Sequence, residues 1–99
     1  MKNYPAEING WKFTGDAESM VYCKDYGNDK SEAVALCWLD VCEGEEGYNP
    51  EGDCYTLIAA ENTPWESAVD SLYYTNMTFG GIMRRKEAEK ELIKYMETH

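Results

Sequence analysis

The chain has one histidine, and it is His99. As the last residue it is expected to fray, and with no other imidazole in the chain Ser-His-Asp triads, Cys-His pairs and histidine-ligated metals are not expected. Phosphate-cradling loops are missing too. Gly80-Gly81 precedes a helical pattern, but no GxGxxG or GxxxxGK[ST] surrounds it. The longest apolar run, "AVALCWL" at 33–39, falls far short of the roughly 18 residues of a membrane helix, which argues against a span. The start, "MKNYPAEING", has no apolar stretch after its lysine and does not read as a secretory signal. A cytoplasmic protein is expected, with its four cysteines held as thiols.

Cations are scarce where they would matter most. Residues 1–82 carry 15 acids against Lys2, Lys12, Lys24 and Lys30, whereas residues 83–99 carry 4 acids against 5 cations, within a formal net charge of −10. An acidic field of this kind repels phosphate backbones and anionic membranes, so neither nucleic acid nor membrane is an expected partner.

What is present is enough for one domain, residues 1–99. A chain of this length buries roughly 60–70% of its unfolded surface on folding, and 43% of its residues are hydrophobic. Period-two alternation flanks the Gly15-Asp16 turn signal, which predicts strands near 8–14 and 19–24. "AVALCWLDVC" and "CYTLIAA" are apolar on both parities and read as central strands. Thr63-Pro64-Trp65-Glu66 has the form of a capping box with proline at the first helical position, predicting a short helix near 64–71. "LYYTNMTF" at 72–79 reads as an edge strand ended by Gly80-Gly81. From about residue 84, Ala88, Leu92, Tyr95 and Met96 recur at helical spacing. Arg84, Arg85 and Lys86 then stand at the end where the helix dipole disfavours cations. The expected class is α+β: an antiparallel hairpin meander of four to five strands, with a C-terminal amphipathic helix on one face.

Hairpins centred on Lys30 and Tyr48 would set Cys23 beside Cys37, and Cys42 beside Cys54, as two separated pairs. Zinc wants four convergent ligands, so no metal is expected there, and the thiols read as small buried hydrophobes. The loop "LDVCEGEEGYNPEGDC", residues 39–54, holds six carboxylates and no cation. Its acids lack the alternate spacing of a calcium loop, while its glycines and Asn49-Pro50 suit turns. An exposed connection that binds no specific ion and finds no cation to neutralise it is expected.

The same registers place Trp11, Phe13, Met20, Tyr22, Leu36, Trp38 and Ile58 on one face. Val21, Cys23, Ala35, Cys37, Leu39, Val41, Tyr55, Leu57 and Ala59 fall on the other. The single long helix is expected on the shallower, alanine-bearing face. That leaves the aromatic face to residues 62–79, to a second copy or to a partner. With no nucleophile–base pair, and carboxylate pairs uninformative among 19 acids, the chain does not read as an enzyme and calls for no cofactor. The expected function is protein binding or self-association through Trp11, Phe13, Tyr22, Trp38, Glu43, Glu45, Glu46, Tyr48, Glu51 and Asp53. An acidic mimic of nucleic acid, inhibiting a nucleic-acid-binding protein, is the alternative.

Overall fold

The computed structural model describes residues 4–16, 19–61, 68–74 and 77–99. In chain order the elements are β1 Glu7–Ile8, β2 Trp11–Phe13, β3 Val21–Gly27, β4 Lys30–Trp38, β5 Tyr55–Glu61, α1 Ala68–Tyr74, β6 Met77–Met83 and α2 Arg85–Thr98. The strands form one six-stranded antiparallel sheet in sequence order. The class and the meander agree with the sequence reading; the strand count is higher, because β1 was not foreseen. Its signal was present as Asn9-Gly10, which sits between Ile8 and Trp11 with φ of 48° and 86°. Positive φ at both central residues gives a two-residue turn whose twist matches that of its strands. Asn28 and Asp29, at φ 54° and 61°, turn β3 into β4 in the same way.

Register explains which face each residue takes. Phe13 pairs with Tyr22 and Tyr22 with Val34, each displaced by an even number of residues from the sequence reading, so faces in β2 to β4 are as expected. Trp38 pairs with Tyr55 rather than Ile58, a displacement of three. An odd slip turns every side chain of a strand over. Leu57 therefore joins the aromatic face, and Ile58 packs on the other with Ala33, Ala35 and Ala60. The predicted juxtapositions of cysteines fail with the registers: Cys23 lies opposite Ala33, and Cys37 opposite Thr56. All four are free thiols, Cys54 buried and Cys42 exposed.

The helices exchange the faces the sequence assigned to them. α2 lies on the aromatic face, where Ala88, Leu92 and Met96 pack against Trp11, Met20, Tyr22, Val34 and Leu57, all essentially inaccessible. Each such large side chain contributes about 1.5–3 kcal/mol relative to exposure, so the longer helix belongs on the face with more to bury. α1 uses Val69 and Leu72 to cover the alanine-rich face, which is shallow enough for seven residues of helix. Leu72 is thus helical rather than the start of a strand, and the capping sequence at 63–66 lies outside the described residues. Gly80-Gly81 does not end β6. Between the pairs Leu57–Phe79 and Tyr55–Met83 the strand carries two surplus residues, these glycines at φ 84° and 75°, forming a bulge. Among the described residues no helix is long and apolar enough to cross a membrane.

Candidate functional site

Leu39 N–H donates to Cys54 O at 2.9 Å, closing the loop of residues 40–53 at the end of β4 and β5. Inside it, successive turns are held by Glu45 N to Cys42 O at 3.0 Å, Tyr48 N to Glu45 O at 3.2 Å and Gly52 N to Asn49 O at 3.1 Å. Asn49 clamps the returning limb: its Oδ1 accepts from Glu51 N at 3.1 Å and Asp53 N at 3.0 Å, and its Nδ2 donates to Asp53 O at 2.7 Å. The buried Cys54 thiol donates to Gly47 O at 3.4 Å. A side chain at Gly47 would meet Ile82, whose Cγ2 lies 2.9 Å from the Cβ position. The loop is a folded unit.

It also carries the first turn of α2. Asp53 Oδ1 accepts from Arg85 N at 2.8 Å, occupying one of the N–H groups a helix start leaves unpartnered. Glu51 pairs with Arg84. The expectation that no cation reaches these carboxylates is therefore corrected: the arginines that looked misplaced against the helix dipole lie where loop carboxylates offset them. Arg84 is held more firmly protonated, first by its hydrogen bond to Glu51 and then by that carboxylate's charge. Arg85, half-buried, has its guanidinium 5.3 Å from the Tyr55 ring centroid and bonds Tyr4 Oη at 2.9 Å and Glu89 Oε2 at 3.3 Å.

The residues proposed from sequence divide into two groups. Trp11 and Tyr22 are wholly buried beneath α2. Phe13, half-buried, packs edge-on against Tyr22 at 5.4 Å. In this fold these three build the core and present no binding face, because the helix covers the side of the sheet that the sequence reading left open. Trp38, Tyr48, Glu43, Glu45, Glu46, Glu51 and Asp53 gather at the loop end, with Trp38 55% and Tyr48 40% exposed. The Trp38 indole N–H donates to Gly52 O at 2.8 Å, which fixes the ring against the loop. Ile82, 44% exposed, joins them. Sequence periodicity could not place it, since the glycine bulge decides where it points. Asp40, Glu43, Glu45 and Glu46 make no ion pair among the described residues. Glu45 Oε1 accepts from Cys42 N at 2.7 Å. The Cys42 thiol is pushed up, first by its hydrogen bond to Glu45 and then by the charges of Glu45 and Asp40.

At the other end of the sheet a cavity of about 230 Å³ is lined by Tyr26, Lys30, Ser31, Glu32 and Glu61. Glu32 and Glu61 face each other across β4 and β5, and Tyr95 Oη donates to Glu32 at 2.8 Å. His99, expected to fray, is instead stacked on Tyr95 with centroids 3.9 Å apart, and its carbonyl accepts from Lys24 Nζ at 2.8 Å. Among the described residues no three His, Cys, Asp or Glu side chains converge as metal ligands would. No family model, curated protein or solved structure matches the chain.

Proposed function

We propose that this chain is a non-enzymatic protein-binding module whose contact surface is the loop end: residues 40–53 with Trp38, Tyr48 and Ile82. One observation carries the reading. Trp38 is more than half exposed, yet held in orientation by its bond to Gly52 of a loop whose Asp40, Glu43, Glu45 and Glu46 make no ion pair among the described residues. A rigid aromatic surrounded by charge is the composition of an interface anchor and its polar rim, since tryptophan offers large contact area at little entropic cost. Reactive chemistry has less support. The Cys42 thiol is driven away from the thiolate form by Glu45, and Cys23 likewise by burial and then Asp25. Mimicry of nucleic acid is the weaker reading, because Glu51 is paired with Arg84, Asp53 is engaged by the start of α2, and the same loop end exposes Trp38, Tyr48 and Ile82.

The test is affinity capture from the native cell lysate with the wild-type chain, Trp38→Phe, and Trp38→Ala combined with Tyr48→Ala, each first shown to melt cooperatively. A partner held at fixed stoichiometry by wild type and Trp38→Phe, and lost by the double variant, supports the surface. Equal recovery by all three chains would move the contact elsewhere on the molecule.

A further inference from the structure

Resting on that reading and deepening it, we infer that the occupant of the loop end is an arginine-bearing basic segment of a partner protein. One guanidinium stacks on Trp38, and neighbouring cations pair with Asp40, Glu43, Glu45 and Glu46. Charge complementarity selects the sign: the loop contains no cation, and among the described residues Arg84 alone pairs with one of its carboxylates, Glu51. The remaining acids are exposed, so a cation can reach them. Ring geometry selects the kind of cation. Trp38 spends its N–H on Gly52 and keeps its aromatic surface half open, and no Lys or Arg lies over that ring among the described residues. A planar, weakly hydrated guanidinium can stack on an indole while its fork bonds a carboxylate; an ammonium cannot do both with the same geometry. The fold uses this combination internally, where Arg85 lies over Tyr55 and bonds Glu89.

Calorimetric titration with synthetic oligoarginine and oligolysine of equal length, at low and high salt, tests the assignment. Oligoarginine should bind more tightly than oligolysine. Trp38→Ala should weaken oligoarginine by about tenfold, to the level of oligolysine, and Trp38→Phe should retain most of the difference. Combining Glu43→Gln, Glu45→Gln and Glu46→Gln should weaken both peptides and flatten their salt dependence. Equal affinity for both peptides, untouched by Trp38→Ala, would overturn the inference in favour of unspecific charge attraction, and absence of binding would overturn it outright. Sedimentation showing a wild-type dimer that Trp38→Ala dissolves would make the occupant a second copy. A captured partner bound through Trp38 without salt dependence would leave the protein-binding reading standing and remove this one.

Discussion

Asn49 shows how one side chain can organise a loop with little core of its own. Its amide oxygen accepts from the Glu51 and Asp53 N–H groups and its amide nitrogen donates to the Asp53 carbonyl, so Asn49→Ala leaves the part-buried N–H and C=O of Asp53 without these partners. Such groups cost about 1–3 kcal/mol each when unsatisfied. We expect Asn49→Ala to destabilise the chain by about that much in a denaturant titration; a change within error would mean that water replaces the amide freely. Tyr95 carries a prediction about pH. Burial raises its phenol above the usual value of 10.0, and the hydrogen bond to Glu32 raises it further. The groups facing it are Glu32, Glu61, Tyr26 and the stacked His99 ring, with Trp11 and Phe79 as aromatic neighbours. A phenol whose folded value lies above its unfolded one contributes stability below pH 10, and that stability is lost as pH climbs toward the folded value. Tyr22, raised mainly by burial, acts in the same direction. Melting temperature should therefore fall above about pH 10, and fall less steeply in Tyr95→Phe; parallel slopes for the two chains would refute the assignment to Tyr95.

At the scale of elements, the loop and α2 work as one unit, since Asp53 caps the helix from a distant segment and Asn9 donates to Met96 O at its other end at 3.0 Å. Removing a cap costs about 0.5–2 kcal/mol, so Asp53→Ala should lower stability by that amount while Asp53→Asn, also a good cap, should lose much less. Equal losses would point to the carboxylate's charge beside Arg84 and Arg85 rather than to its hydrogen bond. This coupling was not legible in the sequence, because periodicity marks elements and says nothing of which loop meets which helix end. Local patterns did carry the central strands, α2 and the meander. The faces were lost at one place. The connection between the paired Trp38 and Tyr55 holds an even number of residues, whereas a symmetric hairpin about Tyr48 needs an odd number, so that reading inverted β5 and sent Leu57 to the wrong side. The exposure of Glu43, Glu45, Glu46, Glu51, Trp38 and Tyr48 was readable because turn residues and charge keep them out of a core. Trp11, Phe13 and Tyr22 were misread because alternation shows that a strand has an apolar face, not what covers it.

Across the whole molecule, a charge of −10 on 99 residues makes self-repulsion a stability term, and the loop concentrates it. Its six carboxylates are not equivalent. Glu51 has Arg84, and Asp53 has the start of α2, whereas Glu43, Glu45 and Glu46 are exposed and form no ion pair among the described residues. Opposite signs follow. Combining Glu43→Gln, Glu45→Gln and Glu46→Gln should raise the melting temperature slightly, by up to about 0.5 kcal/mol per site, because an exposed acid in a like-charged field gives up only repulsion and the glutamine at 45 can still accept from Cys42 N. Glu51→Gln should be neutral or slightly destabilising, because solvent screens a surface pair as exposed as this one. Added monovalent salt should raise the melting temperature of the wild type and do less for the triple variant, since screening removes what the substitutions already removed. The outcome that would sink this account is a large rise in melting temperature with calcium, absent in the triple variant. Repulsion among these carboxylates would then be the vacant half of a cation site, and the loop's place in function would be metal binding rather than recognition of a basic partner.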